Sequence, residues 1–388
     1  MIMFKIIYPS NDATLYEGKP TYNTGIDEIL EVGKHLTVAV TSSHSLSRTL
    51  LKFDMADVNS ALTKYTKTVN DCKFMLQLYT THTKNLPASF TIDANVVGQD
   101  WTNGTGFFNS STAIIDGCSW NQPGSGSISW ISSSQNINMP TGSTLYVSGS
   151  GKGGSWLYES GSAASSGSGT LYSQSFNDTN LNDTSVRPTD INIDVTDAIK
   201  LWISGSGGYT VPNYGFILKY SDADESNAGV AGDIRFFSRD THTIYVPRLL
   251  MYFDKSSFET GSLDPIDSNS FSVYTELKKS YKDEEVTKIR LYGRDKYPQK
   301  SPTNTFPLQT IKYIPSSSLY SVIDAATDEV IIPYETEYTK VSCDSTSNFI
   351  YLDMTGLMPE RYYRLEFKVV NGFLDEYIND KLFFKVTR

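Results

Sequence analysis

Histidine and cysteine are scarce in this chain, and their spacing argues against the commonest kinds of catalysis. The four histidines are His35, His44, His82 and His242, and none lies within five residues of a cysteine or another histidine. Local pairs of the kind that hold zinc are therefore absent. No nucleophile-elbow sequence accompanies them, so nothing supports a serine-based triad. Cys72, Cys118 and Cys343 are scattered and odd in number. They match neither a metal-ligand spacing nor a disulfide framework and read as buried free thiols. Gly149-Ser150-Gly151-Lys152-Gly153 has the look of a phosphate loop, but Gly153 stands where Ser or Thr must follow the lysine and no helix-forming stretch comes next. Asp222-Ala223-Asp224-Glu225-Ser226-Asn227 resembles the start of a calcium loop. Asn227 and Asp233, however, occupy the places of the required Gly and Glu. An acidic hairpin loop is the expected structure there, with a structural calcium on Asp222 and Asp224 as the alternative. No pair of carboxylates stands out as a general acid and base.

The remaining groups suited to recognition are aromatic. Trp120, Trp130, Trp156 and Tyr158 are the candidate contacts for a glycan or a protein partner, because sugars dock on exposed aromatic faces flanked by polar groups. Trp101 and Trp202 fit a core better.

The elements that would position these residues are strands. The chain has 388 residues, 25 Tyr, 19 Phe and a net charge of −10. Flat aromatic side chains favour pleated surfaces, and the Ser-, Thr-, Gly- and Asn-rich stretches between them read as turns. The acidic balance opposes a nucleic-acid groove. No apolar stretch approaches the ~18–20 residues of a membrane span. Met1 to Pro9 lacks the parts of a signal peptide, so synthesis in a cytoplasm is expected. Strands are expected at Ile6–Tyr8, before a polar turn over Pro9–Asp12, and at Leu50–Asp54, Phe74–Tyr79, Tyr214–Tyr220 and Arg248–Phe253. Short helices are expected at Val58–Tyr65 and Ala198–Ile203. Residues 121–186 form a Gly/Ser-rich insertion, yet Trp, Tyr, Leu and Phe are interleaved through it. So many large apolar groups must pack on something, either the chain's own sandwich or a neighbouring subunit. The division expected is a sandwich over 1–254, a linker over 255–272 and a second sandwich over 273–388.

Several motifs in order resemble the DNRLRE-type domain, a jelly-roll sandwich related to carbohydrate-binding modules. They are Arg48-Thr49-Leu50-Leu51-Lys52-Phe53-Asp54, Trp101-Thr102-Asn103-Gly104-Thr105-Gly106, Asp194-Val195-Thr196-Asp197-Ala198 with Trp202, Tyr214-Gly215-Phe216-Ile217-Leu218, and Phe237-Ser238-Arg239-Asp240 before Pro247-Arg248-Leu249. The second part resembles an immunoglobulin or fibronectin type III sandwich. Leu357, Pro359 and Tyr363 have the spacing of a tyrosine corner, and Tyr363, Leu365, Phe367 and Val369 alternate inward. The expected fold class is all-β, a jelly-roll β-sandwich followed by an Ig-like one.

Leu291–Pro298 and Met358–Tyr363 look similar to stretches in tailed-bacteriophage virion proteins. The combination implies a non-catalytic virion component of neck, tail or capsid surface. It would be assembled in the host cytoplasm and contact other virion proteins and copies of itself. The alternative is a module that binds host glycan.

Overall fold

The computed structural model describes residues 3–38, 43–132, 136–138, 144–159, 171–177, 189–204, 211–253, 262–266, 271–300, 302–303, 305–306, 310–371, 374–379 and 382–388. Over these residues the protein is all-β with sandwich architecture. It forms two compact units, Ile7–Leu250 and Met251–Arg388 with Met1–Ile6. The division falls inside the strand Arg248–Phe253. Of the segment read as linker, 262–266 and 271–272 are described, and Phe271 already opens a strand.

The Ile7–Leu250 unit is organised around one long strand, Ser43–Phe53. Its first residues pair with Ile29–Val38, its later ones with Pro9–Tyr16 and Phe216–Tyr220. Pairing continues outward through Ser89–Val96 to Leu171–Asn177. Pro9–Tyr16 is therefore a strand, where a turn over Pro9–Asp12 was expected. Proline is tolerated at a strand's first residue, and an irregularity between Pro9 and Asn11 absorbs the mismatch.

Alternation gives the long strand two faces. One carries Leu51 and Phe53, fully buried, and its neighbour Phe216 meets Trp202 at 4.9 Å between ring centroids. Trp202 is delivered by the helix Thr196–Ile203, whose first turn is held by the Asp194 carboxylate accepting from Thr196 N at 3.0 Å. The helix expected over Val58–Tyr65 extends to Met55–Tyr65, with Asp54 accepting from Ala56 N. The other face carries Leu50, and its register partners Ala13 and Ile217 share that side.

That second face is covered by described residues between Val97 and Trp156. Trp101, Trp120, Trp130 and Cys118 pack with Ala13, Leu15, Leu50 and Ile217 in one apolar cluster. The aromatic insertion thus packs, through its described residues up to Trp156, on its own sheet. Residues 160–170 and 178–188 lie outside the described residues. Polar anchors fix the layer's path. Asn23, fully buried, donates to the carbonyls of Asn103 and Cys118 at 2.6 and 2.8 Å and accepts from Gly106 N at 2.7 Å. Asn103 in turn donates to Gly25 O and accepts from Asp12 N. The Trp101 indole donates to Tyr214 O at 2.8 Å.

In the Met251–Arg388 unit, one sheet orders Phe271–Thr275, Val286–Asp295, Asn348–Asp353 and Ser342–Cys343. The other orders Ser280–Lys282, Phe383–Thr387, Tyr362–Asn371, Leu319–Asp324 and Val330–Ile332, with Leu374–Ile378 also on Tyr362–Asn371. Ile289, Leu291, Leu365, Phe367 and Val369 alternate into its core and are fully buried. The Tyr363 hydroxyl donates to Met358 O at 3.0 Å, the closure expected of a tyrosine corner.

Tyr363 is 2% exposed, so replacing it with Phe removes a buried hydrogen bond without opening a cavity. Urea denaturation of Tyr363→Phe should show a loss of about 1–2 kcal/mol; an unchanged midpoint would mean that the corner adds nothing to stability.

Candidate functional site

The most concentrated chemistry in the molecule lies between the long strand and its aromatic cover. Lys219 shares a face with Ile217 and stands opposite Asp93 in register. The pairing of Leu218 with Thr49 sets Lys219 beside Arg48. Asp93, Lys219 and Arg48 therefore form a charged row across three strands. The chain then turns at Ser221 into a short helix, Asp222–Ser226, started by the Ser221 hydroxyl accepting from Asp224 N. This helix stands where a hairpin loop was expected, and it hangs its carboxylates over the row.

Each of the three Arg48 side-chain nitrogens donates a hydrogen bond. Nε and Nη2 donate to the two Glu225 oxygens at 2.9 and 2.6 Å, and Nη1 donates to Gly153 O at 2.7 Å. Its guanidinium carbon lies 5.1 and 5.2 Å from the Trp120 and Trp156 rings. Planar guanidinium suits such stacked, bidentate places better than ammonium does. Lys219, with a side chain only 1% exposed, donates to Tyr220 O at 2.9 Å and Asp222 Oδ1 at 2.5 Å, and its ammonium lies 5.1 Å from the Trp156 ring. Burial pushes the Asp93 carboxyl up to about 6 although Lys219 draws it down.

The glycines of the look-alike phosphate loop serve close approach. Gly153 (φ +69°) and Gly154 (φ +95°) sit in left-handed backbone. A Cβ on Gly153 would come within 2.8 Å of Trp120, and one on Gly154 within 2.5 Å of Ile217. Without side chains there, the carbonyl of Gly153 reaches Arg48.

Two of the four aromatic candidates are buried in this arrangement. Trp120 is 6% and Trp130 2% exposed, so neither offers a face to a sugar. In a segment rich in Gly and Ser, their area helps bind the layer to the sheet, and the Trp130 indole is satisfied by Ser119 O at 3.0 Å. Trp156 and Tyr158 are half-buried and alternate onto one side of the strand Trp156–Glu159, which brings them together.

The carboxylates named for the calcium alternative have protein partners. Asp222 faces the Lys219 ammonium, and Asp224 Oδ2 accepts from Thr91 N at 2.9 Å and from the Ser221 hydroxyl at 2.8 Å. A lysine thus stands where a cation would. Among the described residues no group of three or more His, Cys, Asp or Glu is placed to hold a metal ion. The three thiols are buried, and burial pushes Cys343 up to about 11.

A second polar cluster escapes sequence reasoning. Glu31 Oε1 accepts from the Ser47 hydroxyl at 3.0 Å and lies 2.7 Å from His35 Nε2, while Glu31 Oε2 accepts from Arg235 Nε at 2.8 Å. Gly33 lies between Glu31 and His35 on the same side of the strand. A Cβ there would stand 3.0 Å from His35 Nε2, so its absence lets His35 reach back to Glu31. Burial works to raise Glu31, but His35, Ser47 and Arg235 together hold it below the usual carboxylate range. The hydrogen bond to Glu31 raises His35. The signal available in sequence was charge within apolar alternation, as in Leu46-x-Arg48-x-Leu50 and Ile217-x-Lys219.

Two expectations follow from these contacts. Arg48→Met leaves Glu225 desolvated and should cost about 3–5 kcal/mol in urea denaturation. Adding Glu225→Met should recover part of that loss, and losses below about 1 kcal/mol in both single variants would contradict the fastening role. Because His35 is raised in the fold, its contribution is complete below the unfolded value and lost as pH rises through the folded one. The stability difference between the parent and His35→Ala should therefore be larger at pH 6 than at pH 9; a difference independent of pH would show that the charge of His35 is not used.

No family model matches the chain, and no curated protein matches it. Among solved structures, two of a β-glucuronidase from Parabacteroides merdae, one with glycerol in its active site, are similar at 11% identity with TM-scores of 0.17 and 0.16. The alignments cover 81% of this chain and 28% of the other, so the chain spans little more than a quarter of those structures' length. A likeness at that TM-score carries no argument about fold or activity.

Proposed function

We propose that this chain is a non-catalytic structural component of a tailed-phage virion, at the neck, tail or capsid surface. It acts through contacts with other virion proteins and with copies of itself. The observation that supports this reading most is the use made of the reactive side chains. Arg48, Lys219, Glu225 and Asp222 are all turned on one another and on backbone to fasten a second layer to a sheet. A rigid spacer or clamp needs that kind of fastening, whereas an active site needs groups left facing a cleft. The corner-locked second sandwich suits the same use.

A second reading, recognition of host glycan, is favoured by one observation: Trp156 and Tyr158 are half-exposed side by side.

Quantitative mass spectrometry of purified particles decides between them. The proposal expects the chain in the particle at a fixed copy number that matches a symmetric assembly. A free monomer whose glycan binding is lost in Trp156→Ala would overturn the structural reading and support the second.

A further inference from the structure

One edge of the second sandwich is left unfinished. Ser280–Lys282 pairs in parallel with Phe383–Thr387 and covers the outer edge of that strand. Leu374–Ile378 precedes Phe383–Thr387 on the same side of Tyr362–Asn371, yet among the described strands none pairs with its outer edge. Phe271–Thr275 belongs to the opposite sheet, where among the described strands it pairs with Val286–Asp295 alone. Two strand edges therefore border a groove of about 300 Å³. Phe271 and Phe367, both buried, form its floor, and Tyr274 and Tyr377, both exposed, stand at its rims.

Glu376 lies in this groove with an unusual orientation. It stands opposite Val369, which is fully buried, so its side chain leaves the strand on the face that points into the sandwich. It is nonetheless exposed, and among the described strands none covers that side. An inward carboxylate on an open edge repels apolar strands and guards against indiscriminate pairing. It also opposes the same edge of a second copy, since antiparallel pairing there sets Glu376 against Glu376. A strand carrying Lys or Arg opposite Glu376 would instead gain an ion pair beside apolar contacts, and the chain's net charge of −10 draws basic partners toward it.

We propose that the groove between Phe271–Thr275 and Leu374–Ile378 is an acceptor site for one extended segment of a basic partner protein. That segment adds as a strand along Leu374–Ile378, in line with Ser280–Lys282, and places a Lys or Arg against Glu376. Backbone pairing supplies the attachment and Glu376 supplies the selection. The site is separate from Trp156 and Tyr158, and it stands whether or not the chain is a virion component.

The test uses the full chain and two fluorescein-labelled nonapeptides of alternating Thr and Val, one with a central Lys and one with a central Glu. In anisotropy titrations at low salt, the Lys peptide should bind at least about tenfold tighter than the Glu peptide. Glu376→Lys, an exposed change that circular dichroism should show folded, should reverse the preference. N-methylation of alternate peptide nitrogens should abolish binding, and hydrogen exchange should slow at Leu374–Ile378 when the Lys peptide is bound. Failure of the Lys peptide to bind, an unchanged preference in Glu376→Lys, or protection confined to other strands would each overturn the proposal.

Discussion

A guanidinium held against two tryptophan rings needs partners for its nitrogens, and the Ile7–Leu250 unit supplies one to each of the three in Arg48. Stripping water from a charge costs several kcal/mol unless hydrogen-bonded partners replace it. The partners come from two directions. Glu225 arrives from the short helix that follows Lys219, and Gly153 arrives from the aromatic cover. One side chain therefore ties together the long central strand, a helix 177 positions away and the layer above. The cover is thin, and four of its seven loop residues from 149 to 155 are glycine. Its attachment draws on the buried tryptophans, the Asn23 and Asn103 hydrogen bonds, the Trp101 indole and the Gly153 carbonyl.

This dependence explains why sequence reasoning reached the fold more fully than the site. Strand after strand was legible because alternation is local, and the tyrosine corner was legible because Leu357, Pro359 and Tyr363 lie within seven residues. The helix at Thr196–Ile203 was legible from its capping residues. The strand at Pro9–Tyr16 was hidden by Pro9 and the polar residues after it, whose burial comes from tertiary pairing rather than from their own hydrophobicity. The segment after Asp222 has turn-like composition, and only the Ser221 cap turns it into a helix.

The aromatic candidates divide for a similar reason. Sequence shows that Trp120, Trp130 and Trp156 stand among glycines and serines, which says that they bury area but not against what. Packing assigns Trp120 and Trp130 to the sheet's own core and leaves Trp156 at its margin. Arg48–Glu225 and Glu31–Arg235 lie too far apart in the chain for any periodicity to join them. In both clusters the charged groups bond to one another and hold neighbouring elements together.

Trp101, Cys118, Trp120 and Trp130 pack on the sheet as a second core. Fluorine NMR of the chain labelled with 5-fluorotryptophan, recorded in H₂O and D₂O, tests it most directly, because each of the five tryptophans reports its own contact with solvent. The account predicts that Trp101, Trp120, Trp130 and Trp202 show almost no solvent isotope shift, while Trp156 shows a clear one. Clear solvent shifts at Trp120 and Trp130 would contradict it.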